Sequence, residues 1–317
     1  MIVALRALGV GDLATAVPAL RALRAAYPDR ELVLAAPAWL APLVELVGGV
    51  DRVLPTAGLE RLAWPGAAVE VAVNLHGRGP DSHRLLAAVG PARLLAFANA
   101  EAGHLDGPAW DDDEHEVARW CRLLAAYGIA ADPTDLDLRR PATTSLPAGV
   151  TVLHPGSKVP AKCWPPGRYA ALARTLTERG HRVVLTGSAR ERDTVARVAA
   201  EAGLPPEAVF AGRTDVAGLA ALVAGARLVV SGDTGVAHLA TGYRTASVVL
   251  FGPVPPSRWG PPPERRRHRV LWAGGGAWPD WDGVGSHPTM AALDLDQVLA
   301  AVDEVERAVR ADRAVAA

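Results

Sequence analysis

The strongest constraint on this chain is an alternation that occurs twice. Short apolar, β-branched runs lead into tight turns and then amphipathic helix, on both sides of a polar, proline-punctuated break over 139–149. Alternation of this kind belongs to parallel sheets covered by helices, because parallel strands must be joined by a crossover. In the first block the pattern predicts strands over 2–8, 31–35, 52–54 and 69–75, with helices over 13–26, 40–47, 82–89 and 114–127. In the second it predicts strands over 150–154, 182–186, 227–231 and 246–251, with helices over 169–179, 191–202 and 216–224. A charged amphipathic helix over 297–310 closes the chain. At 317 residues the sequence exceeds the usual single core, so two α/β domains are expected, divided at the break.

Several function classes are excluded early. The net charge is −1, and the one dense basic run, Arg265-Arg266-Arg267-His268-Arg269, reads as a solvated loop; no nucleic-acid partner is expected. Two cysteines, Cys121 and Cys163, are too few for a disulfide framework or a cysteine-rich zinc site and fit a reducing, cytoplasmic setting. Strand begins at Ile2, which leaves no room for a leader, and no apolar run approaches a membrane span, so a soluble monomer is expected, with peripheral membrane contact left open. Asp-x-Asp patterns at Asp111-Asp113, Asp135-Asp137, Asp280-Asp282 and Asp294-Asp296 follow no apolar strand, and no required metal is expected. The Gly-, Trp- and Pro-rich segment 274–288 reads as an ordered loop, because Trp278 and Trp281 need burial.

Ligand chemistry is expected at the turns that end the strands. Val229 and Val230 run into Ser231-Gly232-Asp233-Thr234-Gly235 and then helix, where a helix starting near Thr234 offers free N–H groups to a phosphate. His238 lies one turn on, either facing the same ligand or packing half-buried. Gly9-Val10-Gly11 supplies two glycines of a dinucleotide fingerprint, but Ala14 holds the third position and Asp12 stands in the turn. A carboxylate there repels pyrophosphate, yet it suits proton abstraction from a hydroxyl; Asp12 is a candidate general base and also a candidate helix cap. A nicotinamide oxidoreductase requires an acid after the second strand, where Ala35-Ala36-Pro37 offers none. In the second block, Ser157 and Lys158 of His154-Pro155-Gly156-Ser157-Lys158, together with Lys162 of Lys162-Cys163-Trp164-Pro165, supply donors for a diphosphate. In Thr186-Gly187-Ser188-Ala189-Arg190-Glu191, Glu191 is either a ribose acceptor or a first-turn helix carboxylate.

Taken in order, Gly11-Asp12, His154-Pro155-Gly156, Lys162-Cys163-Trp164-Pro165 and Ser231 to His238, followed by Phe251-Gly252-Pro253, resemble the ADP-heptose:lipopolysaccharide heptosyltransferase family, glycosyltransferase family nine. The resemblance implies an α/β GT-B fold, with two Rossmann-like domains whose parallel sheets face across a cleft. It implies an acceptor-binding domain over 1–145, a donor-binding domain over 146–292, and a helix over 293–317 that crosses back to the first domain. It also implies inverting, metal-independent transfer of a sugar, heptose from an ADP-activated donor, with no cofactor. By motif position, Asp12 and Lys162 are similar to the family's catalytic residues. Gly156, Ser157, Lys158, Lys162, Gly187, Glu191, Thr214, Asp233, Thr234, Gly235 and His238 are similar to its donor contacts. Gly11, Asp12, His76, Arg78 and Ser82 sit where the family meets its acceptor, here a glycan, a glycolipid or a secondary-metabolite aglycone. A nicotinamide oxidoreductase and a non-catalytic sugar-nucleotide binder are the alternatives.

Overall fold

A computed structural model describes residues 1–64, 66–142, 145–274 and 285–316. Trp278, Trp281 and the Asp280-Asp282 pattern lie outside the described residues. The chain divides into two compact units, Met1–Arg139 and Arg140–Ala317.

The first unit runs β1 (Ile2–Leu5), α1 (Val10–Thr15), α2 (Val17–Ala26), β2 (Leu32–Ala36), α3 (Ala41–Val47), β3 (Arg52–Pro55), β4 (Val71–Asn74), α4 (Asp81–Ala87), β5 (Arg93–Leu95) and α5 (Glu116–Ala126). Its strands are ordered β3-β2-β1-β4-β5, with every pairing parallel. β1, β2 and β4 are buried along their whole length, as continuous apolar runs in a two-sided sheet must be. The order reverses between β1 and β4, which opens a crevice at their carboxyl ends. There Leu5 pairs with Asn74, so the turns beginning at Arg6 and Leu75 leave the sheet side by side.

Three expectations change here. β1 ends at Leu5 rather than at 8, because Leu8 N–H turns back to the Arg6 carbonyl. The helix expected over 13–26 starts at Val10 and breaks at Ala16, where Pro18 lacks the N–H and the space to continue one cylinder. Asp12 therefore lies inside the first turn of α1 rather than capping it; Gly9 holds the cap position. β5 was not expected, since Arg93-Leu94-Leu95 is a short edge strand with its arginine exposed.

The second unit continues with β6 (Thr151–His154), α6 (Pro166–Glu178), β7 (Val183–Leu185), α7 (Arg192–Ala202), α8 (Val216–Ala224), β8 (Leu228–Gly232), α9 (Gly235–Gly242), β9 (Ser247–Phe251), α10 (Pro256–Trp259), β10 (His268–Trp272), α11 (Pro288–Ala292) and α12 (Leu295–Ala316). Its parallel sheet is ordered β10-β9-β8-β6-β7, reversing between β6 and β8. His154 pairs with Ser231 at that reversal, so the turn after β6 and the turn after β8 emerge together.

Two further corrections belong to this unit. Part of the basic run is edge strand rather than loop: Arg267 and Arg269 pair with Asp312 and Glu304 of α12. The final helix, expected against the first domain, buries Val298, Ala301, Val302 and Val305 in the second unit's own core. Its apolar stripe and its acids match β10 and its arginines, so helix and edge strand cover each other. Among the described residues, no helix is long and apolar enough to cross a membrane.

Candidate active site

In the first unit the site forms around Asp12. Gly9 N–H donates to Asp12 Oδ2 at 2.9 Å, which folds the carboxylate back over the start of α1. The Asp12 carbonyl accepts from Arg6 Nε at 2.9 Å and from the Thr15 hydroxyl at 3.0 Å. Among the described residues, Oδ1 has no such tight donor; Arg6 Nη2 is 3.7 Å away, and 29% of the side chain remains exposed. The carboxylate is thus held in place with one oxygen open, the arrangement a general base requires. Gly11 stands beside it in the same helical turn.

Arg6, which sequence reading missed, is the anchor beneath this turn. It is 1% exposed, donates to the Leu75 carbonyl and to Thr15 Oγ1, and reaches Glu116 Oε1 at 2.8 Å. Its guanidinium lies 4.6 Å from the ring centroid of Trp120. The available signal was an arginine between apolar residues, Leu5-Arg6-Ala7-Leu8, since a buried cation must find an anion. Its partner, Glu116, lies 110 positions away and carries no local signal.

The loop after β4 is built on Asn74, which is fully buried. Its amide reaches the Gly77 carbonyl, Ser82 Oγ and His83 Nδ1, while its oxygen accepts from His76 N–H. Ala7 N–H donates to His76 Nδ1 at 3.2 Å, which leaves Nε2 to carry the proton of the neutral ring. Burial, then the charge of Arg6, holds His76 below its ordinary pKa, with Asp12 opposing. His76 is accordingly a neutral donor near Asp12. Arg78 is 67% exposed and comes within 4.0 Å of Asp112. Ser82, expected to touch the acceptor, is instead 2% exposed, because its hydroxyl turns inward to Asn74.

In the second unit, the turns after β6 and β8 meet backbone to backbone. A Cβ on Gly232 would lie 2.9 Å from the Lys162 carbonyl, so only glycine permits this approach. The contact brings Lys162 Nζ to 2.6 Å from Asp233 Oδ2, with Asp233 7% exposed. His238 Nε2 lies 3.9 Å from the other oxygen of Asp233, and its ring meets Trp259 edge-on at 5.7 Å. Thr234 takes the N-cap position of α9 with extended backbone, but its side chain makes no cap bond. Thr234 Oγ1 and Ser231 Oγ are buried hydroxyls with no hydrogen-bond partner among the described residues. Two unspent hydroxyls, a helix start at Gly235 and an ammonium group form a setting for an oxyanion.

The remaining expected contacts fall around Glu191. Ser188 N–H donates to Glu191 Oε2 at 2.6 Å. A Cβ on Gly156 would lie 2.1 Å from Oε1, so the β6 turn packs directly on this carboxylate. Burial keeps His154 below its ordinary pKa, Glu191 opposing, and raises the Cys163 thiol, Glu191 adding to it. Gly187 accepts from Gly212 N–H at 2.9 Å, which sets the Thr214 turn beside the Glu191 turn. The structure therefore gathers Gly156, Gly187 and Glu191 at the carboxyl ends of β6 and β7, with Thr214 two residues beyond the Gly212 that bonds Gly187. Ser157 Oγ accepts from Val159 N–H at 3.2 Å, and Lys158 is exposed. Among the described residues, no group of three or more His, Cys, Asp or Glu is placed to hold a metal ion.

Residues 108–280 match the family described as glycosyltransferase family 9 (heptosyltransferase). Lipopolysaccharide heptosyltransferase 2 of Salmonella typhimurium is 25% identical over 305 residues, covering 83% of this chain and 85% of its own length. The solved structure of E. coli ADP-heptose lps heptosyltransferase II superposes with a TM-score of 0.75 at 23% identity, over 96% of this chain and 98% of that one. E. coli heptosyltransferase WaaC with ADP-2-deoxy-2-fluoro heptose gives 0.69 at 19%, over 96% and 99%. Those two superpositions establish a shared two-sheet α/β fold.

Proposed function

The chain belongs to glycosyltransferase family 9, the heptosyltransferases, and from that premise we propose that it transfers heptose from ADP-heptose to a saccharide hydroxyl, inverting the anomeric centre without a metal ion. The observation that carries this reading is the Lys162–Asp233 pair beside two unspent hydroxyls at the start of α9. That turn suits the diphosphate of a nucleotide sugar, and similar folds hold ADP-2-deoxy-2-fluoro heptose. Glu191 takes the ribose hydroxyls, and the Thr214 turn meets the adenine.

In the proposed step, Asp12 Oδ1 accepts the proton of the acceptor hydroxyl as its oxygen attacks C1 of the heptose. The C1–oxygen bond to the diphosphate breaks on the opposite face, and ADP leaves with the electron pair. Lys162 and the N–H groups at the start of α9 stabilise the charge that develops on the leaving oxygen. Because Lys162 and the helix dipole supply this stabilisation, no divalent cation is required. His76 and Arg78 orient the acceptor, which we take to be a lipid-linked saccharide because the relatives act on lipopolysaccharide. The free thiols Cys121 and Cys163 support a reducing, cytoplasmic setting.

Calorimetry with ADP, UDP and GDP and their sugars, repeated in EDTA, tests the donor; product NMR after turnover with ADP-heptose tests inversion. Preference for ADP forms with no effect of EDTA supports the proposal. Preference for another nucleotide overturns the donor assignment, loss of binding in EDTA overturns metal independence, and binding without transfer to any acceptor indicates a non-catalytic binder.

A further inference from the structure

We propose that Glu116 is a positioning residue for the transfer, acting through Arg6 on Asp12, and this rests on the role of Asp12 as base given above. Arg6 Nη2 stands between two carboxylates, 2.8 Å from Glu116 Oε1 and 3.7 Å from Asp12 Oδ1. The nearer acid takes the hydrogen bond, and Asp12 Oδ1 is left without a close donor among the described residues. The rest of the Arg6 fork holds backbone, at the carbonyls of Asp12 and Leu75, so one side chain ties the base turn to the acceptor loop.

Glu116 is itself fixed. It is 5% exposed, its Oε1 accepts from Trp120 Nε1 at 3.0 Å, and its Oε2 pairs with Arg119. Arg119 is spent in turn on the carbonyls of Asp111 and Glu114, with its guanidinium 4.3 Å from the ring centroid of Trp110. Among the described residues, Arg6 and His76 are charged or titratable groups that interact with Asp12, with Glu116 balancing Arg6 from α5. Without the charge of Glu116, the Arg6 guanidinium turns its full attraction on Asp12 Oδ1. It then draws the carboxylate inward, away from the acceptor hydroxyl.

The test is a double-mutant cycle between Glu116→Gln and Asp12→Asn, followed by kcat and donor KM. Glu116→Gln is expected to lower kcat about ten- to hundredfold, the scale on which a misplaced catalytic group costs rate, with donor KM unchanged. In the Asp12→Asn background the same substitution should cost less than about twofold, because the group it positions is gone. A loss of equal size in both backgrounds means Glu116 is merely structural and overturns the inference, as does unchanged kcat in the single variant. If Asp12→Asn alone keeps full turnover, the base assignment fails by that variant and not through Glu116. Should Glu116→Gln not fold, Glu116→Asp keeps the charge but withdraws it from Arg6; it is held to the same cycle, with a smaller expected loss.

Discussion

Lys162 Nζ lies 2.6 Å from Asp233 Oδ2, an ion pair between residues 71 positions apart that joins the two turns at the reversal of the second sheet. In the proposed function, Asp233 therefore does more than line the turn that meets the diphosphate. A carboxylate facing a diphosphate would repel it, whereas one that holds an ammonium group in place prepares the site for it.

Lys162→Ala should weaken ADP binding and lower kcat together, because the ammonium meets phosphate in both ground and transition states. Asp233→Asn should leave the lysine present but unanchored, giving a smaller loss of the same kind. Calorimetry and steady-state kinetics check both, and normal ADP affinity in Lys162→Ala would contradict the assignment.

Asp12→Asn retains the size of the side chain but removes its ability to take a proton. Turnover should fall about 10²- to 10⁴-fold while ADP binding stays as in the wild type. Single-turnover rates with saturating donor would show this directly.

Gly79 has φ of +82°, and a Cβ there would lie 2.2 Å from Nδ1 of the buried His83. Gly79→Ala should therefore cost about 1–3 kcal/mol of stability and disturb the loop that carries His76 and Arg78. Acceptor KM should rise with donor affinity preserved, which thermal unfolding and kinetics together can separate.

His268 predicts acid sensitivity remote from the site. It is 6% exposed, its Nε2 has no partner among the described residues, and burial together with Arg265 and Arg267 lowers its pKa from 6.5 to about 4. The unfolded chain binds the proton more readily than the folded one. Stability is thus fully present above 6.5 and is lost as pH falls from 6.5 towards about 4, a displacement worth on the order of 3 kcal/mol. His268→Gln should flatten that part of the stability profile, measured by urea unfolding at stepped pH.

The turns on which the proposed function rests were legible because each bears its own mark. Gly9-Val10-Gly11-Asp12, His154-Pro155-Gly156 and Ser231-Gly232-Asp233-Thr234 are glycine-bearing interruptions at the ends of apolar runs, and strand ends in an α/β sheet are where ligands bind. Edge strands were less legible: β5 and β10 carry arginines on their open sides, and a basic strand paired with acids of a helix looks locally like a solvated loop. Ser82 misled for a similar reason, since nothing next to it in sequence reveals that Asn74 turns its hydroxyl inward.

By itself, the sequence determined the two α/β units and the glycine-bearing turns that end their strands, which the proposed function uses. Apolar period, proline breaks and glycine turns act within a few residues and need no distant partner to be read. Only the tertiary structure decided that Arg6 is claimed by Glu116, that Lys162 is held by Asp233, and that α12 covers the second sheet. Those outcomes depend on strand order and on burial. A buried charge is tolerated only where the fold supplies its counter-charge, and an apolar stripe settles on whichever open sheet edge its charges match.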